Sequence, residues 1–153
     1  LACFERSILV GNAPFDRYQA GDEQAMSESA IRGWQVFQRK GRCAKCHSAP
    51  TFIDIGFHNI GVGMDRPNPD LGVFIRTQRE STRGAFKPPT LRELTKTAPY
   101  MHDGSMATLP EVIDFYDKGG VPNPQLSDEV RQLRLTPQEK QDLLEFLVQG
   151  LSS

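Results

Sequence analysis

A mainly α chain, a few helices joined by long loops within one domain, is what the sequence predicts. Three observations carry that reading. Apolar residues recur at helical spacing in several segments, and strand-like alternation is scarce. Many of the 13 glycines and 11 prolines fall between residues 48 and 89, which leaves no room there for a long element. Residues 43–47 read Cys-Ala-Lys-Cys-His, the attachment signature of a c-type haem, and long loops are what a haem needs around it. A length of 153 residues suits one domain, 1–153.

The pentapeptide has a physical logic. Two intervening residues let one turn of backbone present the thiols of Cys43 and Cys46 to one edge of the porphyrin, where they add across its vinyl groups. The next residue, His47, then lies under the ring face as the proximal iron ligand. Gly41 is expected to let the chain turn sharply out of the preceding helix. A structural zinc site would need two more Cys or His ligands at workable spacing. Only Cys3, His58 and His102 remain, none of them paired. A redox dithiol would need a βαβ setting, which is absent. The fold expected is therefore a cytochrome c-like haem domain with haem-wrapping loops.

Taken in order, residues 1–10 look like the interior or end of an amphipathic helix, with Leu1, Phe4 and Ile8 on one stripe. Residues 11–26 read as loop, with Gly11, Asn12, Pro14 and Gly21-Asp22. A helix follows from about Ser27 to Lys40, capped by Ser27 or Ser29. Ala30, Ile31, Trp34 and Phe37 form its apolar stripe. Trp34 on that stripe reads as packing, with an electron relay as the alternative. Residues 48–89 read as loop, and Thr51-Phe-Ile-Asp-Ile is a short strand or an apolar lid. Residues 90–96 make a short helix. Thr108-Leu-Pro-Glu111 is a capping box opening a helix from Leu109 to Lys118, which Gly119-Gly120 ends. Leu109, Val112, Ile113 and Tyr116 share its buried stripe. Thr136-Pro-Gln-Glu139 opens a last helix that buries Leu143, Leu144, Leu147 and Val148 and stops at Gly150.

Bulk properties exclude some functions. Net charge is −1, so there is no basic footprint for nucleic acid. No apolar run approaches a membrane span. With two cysteines committed to haem, Cys3 stands alone and no disulfide framework exists. The chain opens without Met or a signal peptide, which reads as a piece whose N-terminal part is absent. Since c-haem is attached on the periplasmic side of a membrane, a periplasmic location with an upstream signal is expected.

Longer motifs extend the reading. Phe86-Lys-Pro-Pro-Thr-Leu-Arg92, Thr97-Ala-Pro-Tyr-Met-His-Asp-Gly-Ser105 and Ala107-Thr-Leu109 strongly resemble the C-terminal haem domain of bacterial dihaem cytochrome c peroxidases and the related MauG proteins. Phe4-Glu-Arg, Pro14-Phe-Asp-Arg-Tyr18 and Phe57-His-Asn-Ile-Gly61 are similar to the same family. The resemblance implies a longer protein with a second, peroxide-reacting haem in a missing N-terminal domain, residues 1–26 being interdomain helix and loop. It implies a domain that relays or stores oxidising equivalents in a peroxidase or MauG-like oxidase, weakly active alone. The electron donor would be a small redox protein or a protein substrate. A stand-alone monohaem electron carrier is the alternative.

The resemblance also places a distal iron ligand on the helix after His-Asp-Gly, and that position is Tyr116. Its place on the buried stripe agrees. A core tyrosine packed on the porphyrin edge is the bland reading, and Met101 and Met106 are rival ligands. His58 and His102 match non-ligating family histidines that would hydrogen-bond near the haem, and Met64 reads as surface. A calcium ion in the family is held partly by backbone carbonyls matching Thr97 and Pro99. From chemistry alone, Arg92, Lys87 and Arg76 are candidate partners of the haem propionates. Asp103, in a turn, and Glu111, in a capping box, read as structural.

Overall fold

A computed structural model describes Phe4 and residues 11–153. Helices α1 (Pro14–Gln19), α2 (Glu28–Gln38), α3 (Phe74–Thr77), α4 (Leu109–Lys118) and α5 (Pro137–Glu145) are joined by loops carrying single 3-10 turns. The described residues form no sheet, only isolated bridges such as that between His58 and Phe86. The fold is mainly α, as the sequence predicts.

Residues 11–26 are not all loop. Pro14 opens α1 in the first turn, where a missing N–H costs nothing, and the Asp16 carboxylate accepts from the Ala13 N–H at 3.1 Å. The stripe expected of Leu1, Phe4 and Ile8 lies outside the described residues, apart from Phe4, which is helical and exposed. Ser27 caps α2, its hydroxyl accepting from the Ala30 N–H at 3.1 Å. Ser29 serves another helix instead, as follows.

Helices α2 and α5 touch backbone to backbone. A Cβ on Gly33 would lie 1.9 Å from the Asp142 carbonyl oxygen. The Asp142 side chain is turned onto α2, only 4 % exposed. It accepts from Ser29 Oγ at 2.6 Å, from Arg32 Nε and Nη2 at 2.9 Å each, and from Gln138 Nε2 at 3.0 Å. This buried acid is hydrogen-bonded on every side that matters.

Five aromatic rings fill the wedge beside that crossing. Phe15 meets Trp34 edge-on at 4.8 Å between centroids, Trp34 stacks on Phe37 at 5.6 Å, and Phe52 and Phe146 complete the set. The spacings are those that aromatic pairs prefer. Trp34 is therefore packing in this fold. Phe52 comes from the segment Thr51–Ile55, which forms no strand and instead sends one fully buried ring inward.

After α5 the backbone widens into a π-helix, Phe146–Gly150. The wider turn shifts the inward face, so Phe146, Leu147 and Leu151 are buried. Val148, expected on the buried side, is 38 % exposed for the same reason. Elsewhere the long loop is held by a polar plug. Asn59, 2 % exposed, donates through Nδ2 to the Arg83 carbonyl at 2.7 Å and accepts the Gly61 N–H at 2.8 Å.

Two outcomes follow from the helix crossing. Gly33→Ala should cost stability at or above the usual overpacking range of about 1–3 kcal/mol, measured as a drop in denaturant midpoint at unchanged slope. A neutral result would contradict the contact. Arg32 first of all, against the opposing effect of burial, holds the Asp142 carboxyl down from 3.8 to about 2. Its stabilisation is thus complete above about pH 4 and lost as pH falls through about 2. Asp142→Asn should flatten the acid limb of stability between those values, and an unaltered acid limb would contradict the assignment.

Candidate haem site

Helix α2 delivers the chain to the Cys-Ala-Lys-Cys-His segment through a tight exit. The Gly41 N–H donates to the Val36 carbonyl at 2.8 Å, and a Cβ on Gly41 would crowd that oxygen at 2.9 Å. The left-handed residue is not Gly41 but Arg42, with φ 57°. Its guanidinium explains why a non-glycine residue holds that conformation: Nε donates to the Glu129 carbonyl at 3.1 Å and Nη2 to the Glu129 carboxylate. Cys43–Lys45 then form a 3-10 turn. The N–H groups of Cys46 and His47 both donate to the Cys43 carbonyl, at 3.2 and 2.9 Å, so one turn carries both sulfurs and the imidazole.

Cys43, Cys46 and His47 line a cavity of about 620 Å³, in the size range of cofactor sites. Its walls are largely apolar, built by Phe37 of α2, Ile113 of α4 and Leu143 of α5 among others. Burial pushes the thiols up, Cys43 to about 12 and Cys46 to about 11. Among the described residues, the Cys46, Asp54 and His58 donor atoms lie within 4.8 Å of one another, one short of a four-coordinate set. Asp54 is already engaged by the His58 ring at 2.9 Å.

The imidazole of His47 is oriented from behind. Its Nδ1 bonds the Phe52 carbonyl at 3.1 Å, and the Pro89 backbone also acts on the ring. Burial, the largest influence, lowers its pKa and favours the neutral ring that ligation requires. Phe52 itself has φ 55° and is fully buried, so a strained backbone position aims this carbonyl.

On α4 the capping box forms as expected: Thr108 accepts from the Glu111 N–H, and the Glu111 carboxylate accepts from the Thr108 N–H at 2.9 Å. The helix presents Leu109, Val112, Ile113 and Tyr116 to the cavity. Burial pushes the Tyr116 phenol far above its ordinary value, with the two thiols adding to the effect. The hydroxyl has no hydrogen-bond partner among the described residues. Half-buried, Tyr116 faces the cavity, so its oxygen is left to whatever occupies that space. The two thiols on one turn, the oriented imidazole, the apolar walls and this free phenol together fit a covalently attached haem.

The remaining candidates divide. Met101, His58, His102, Lys87, Arg92, Thr97 and Pro99 line the same cavity, whereas Met106 and Arg76 do not. Met64 is half-buried against Gly84 rather than on the surface. His102 stacks on Phe86, centroids 3.7 Å apart. Arg92 forms a bidentate pair with Asp16, at 2.6 and 2.8 Å, and also donates to the Pro50 carbonyl. Asp103 pairs with Arg66 at 2.8 Å and accepts the Ser105 N–H, a turn-holding role like that of Glu111. Sequence reasoning missed the Phe52 carbonyl and the Arg42–Glu129 pair, because neither leaves a local pattern.

No protein-family model matches the chain. Relatives do. The chain is 43 % identical over 149 residues to the methylamine utilization protein MauG of Methylorubrum extorquens, covering 96 % of this chain and 41 % of that protein. It is 35 % identical over 182 residues to cytochrome-c peroxidase IdrP1 of Denitromonas iodatirespirans, covering 99 % and 48 %. The chain belongs to the MauG/cytochrome-c peroxidase family. Among solved structures, a MauG-like protein associated with microbial copper homeostasis superposes with a TM-score of 0.88 at 33 % identity, over 98 % of this chain and 54 % of that one. The dihaem peroxidase BthA of Burkholderia thailandensis shares the fold, with a TM-score of 0.75 at 18 % identity over 92 % of this chain and 46 % of that one. The chain thus spans about half the length of its MauG and peroxidase relatives. It is a c-type haem domain of oxidoreductase descent. No helix among the described residues is long and apolar enough to cross a membrane.

The Phe52 ring and the Phe52 carbonyl join the core to the site. Phe52→Ala should cost about 3–5 kcal/mol of stability, as burial of a phenylalanine in a core implies. Chemical denaturation measures it, and a loss below about 1 kcal/mol would contradict the packing.

Proposed function

We propose that this chain is the electron-transferring haem domain of a dihaem enzyme of the MauG-like branch. Cys43 and Cys46 hold the haem covalently, His47 is the proximal ligand and Tyr116 the distal one. The observation that carries the reading is that these four side chains line one apolar cavity, with the His47 ring already oriented and the Tyr116 hydroxyl free. Bound there, the haem supplies one-electron redox chemistry, and a phenolate donor biases the iron toward its ferric state.

The chain's own residues set the terms. The Phe52 carbonyl accepts the Nδ1 proton of His47, fixing the tautomer and raising the basicity of Nε2. Tyr116 resists ionisation in an apolar cavity, so its phenol would release its proton to solvent only where a cation beside it stabilises the phenolate. Apolar side chains of α2, α4 and α5 keep water from the site. Met101 also lines the cavity and is the rival donor.

Residues 1–153 form one c-type domain, the second of a longer dihaem protein, with residues 1–26 leading from the first. The remainder of that protein carries the haem that meets peroxide. Electrons come from a small redox protein or from a protein substrate, and the setting is periplasmic. The 153-residue piece alone is at most a weak peroxidase. A calcium ion at the Thr97 and Pro99 carbonyls belongs to the same proposal. Neither carbonyl accepts a hydrogen bond among the described residues, and hard oxygen donors suit calcium. Its other ligands come from the first domain.

Tyr116→Phe in the full-length protein tests the assignment. The variant should convert a six-coordinate ferric spectrum to high-spin and raise the reduction potential. An unchanged spectrum in Tyr116→Phe, with loss of six-coordination in Met101→Leu or Met106→Leu, would give the site to methionine.

A further inference from the structure

Two stretches of chain reach the His47 ring. The first is Pro50-Thr51-Phe52, whose Phe52 carbonyl meets Nδ1 at 3.1 Å. The second is Pro89-Thr90-Leu91-Arg92, whose Pro89 backbone acts on the same ring. Side chains of the second stretch tie it to the first. The Thr90 hydroxyl donates to the Thr51 carbonyl at 2.7 Å. Arg92 Nε and Nη2 donate to the Pro50 carbonyl at 3.2 and 2.6 Å. The successive carbonyls of Pro50, Thr51 and Phe52 thus accept from Arg92, Thr90 and His47 in turn. The Thr90 hydroxyl also accepts the Arg92 N–H at 3.2 Å, so both ties leave a single turn.

Arg92 is itself fixed. Its side chain is only 9 % exposed. Nη1 and Nη2 grip Asp16 of α1 at 2.8 and 2.6 Å, and that contact, the largest influence on Asp16, holds its carboxyl below the ordinary value. The guanidinium carbon stands 5.0 Å from the centre of the Phe52 ring, within cation–π reach. Phe52 sits at φ 55°, a costly conformation for a phenylalanine, which persists only where its surroundings over-determine it. Arg92 supplies two of those constraints, one on the Pro50 carbonyl just upstream and one on the Phe52 ring.

We propose that Arg92, braced by Asp16 and assisted by Thr90, is a positioning residue for the proximal imidazole of the haem. The proposal rests on the haem-domain reading and adds to it what sets the orientation and basicity of His47. A carbonyl held firmly on one ring nitrogen raises the basicity of the other, and a stronger imidazole donor favours ferric iron. Arg92 acts on the iron through the Pro50–Phe52 backbone and His47, rather than through its charge. This role replaces the propionate pairing expected from the sequence, since the guanidinium is engaged by Asp16 and Pro50.

The test uses the full-length, haem-loaded protein and follows the haem that is missing from the Cys43→Ala/Cys46→Ala variant. Arg92→Lys keeps the charge but loses the fork that serves Asp16 and Pro50 together. It should shift the ferric–ferrous equilibrium toward ferrous about tenfold, a rise of about 59 mV for one electron, and change the ferric EPR g values. Thr90→Val, which alters no charge, should move both readouts by less, and it decides the matter if Arg92→Lys yields no folded protein. Wild-type potential and g values in both variants overturn the proposal, even with a lowered denaturant midpoint, because a purely structural brace gives that result. An arginine that served a propionate by its charge would likewise leave the potential of Arg92→Lys unmoved, and that outcome overturns the proposal too. Wild-type protein that carries no covalent haem overturns the haem-domain reading and this positioning role with it.

Discussion

The backbone of Gly33 lies against the carbonyl of Asp142, and nothing larger than a hydrogen fits between them. Because α2 and α5 meet this closely, the end of α2 and the inner face of α5 become parts of one wall. The end of α2 leads into the turn bearing Cys43, Cys46 and His47, while α5 lends Leu143 and the π-helix after it lends Leu147 to the cavity. The Asp142 side chain locks the contact by gathering donors from both helices. The ring cluster then fills the wedge and fixes Phe52, whose carbonyl orients His47. The helix crossing and the imidazole are thus two ends of one chain of contacts.

The electrostatics of the cavity have a common direction. Burial raises the Cys43, Cys46 and Tyr116 groups and lowers His47, so for each of these four it disfavours the charged form. A cavity that holds its would-be ligands neutral stores no charge repulsion. A ferric ion reverses that balance for the phenol alone, since imidazole ligates as the neutral ring and thioethers carry no charge. Under the ligation proposed for Tyr116, the potential of the site would be set mainly by that residue.

Much of this was legible in the sequence, for reasons that differ by element. The capping boxes at Thr108 and Thr136 fixed the starts of α4 and α5 because cap chemistry is local. The haem pentapeptide was readable because covalent attachment demands a fixed spacing. Helix α1 was hidden because six residues between glycines carry too little periodicity, although Pro14 is a first-turn signal. Val148 was misplaced because the π-widening that turns it outward depends on tertiary packing. The left-handed Arg42 and the Phe52 carbonyl were invisible, since their partners lie 87 and 5 residues away and leave no motif. Arg92 was legible only as a candidate propionate partner, and its pairing with Asp16 required α1 to exist.

The central claim is that this cavity is built around a haem bonded to Cys43 and Cys46. Proteolysis of the full-length protein, followed by mass measurement of the peptide containing residues 43–47, tests it directly. The account predicts a peptide heavier than its sequence by one haem, absorbing in the Soret region and losing both features in Cys43→Ala/Cys46→Ala. A peptide of unmodified mass with two free thiols, from protein matured where c-type haem attachment is active, would contradict it.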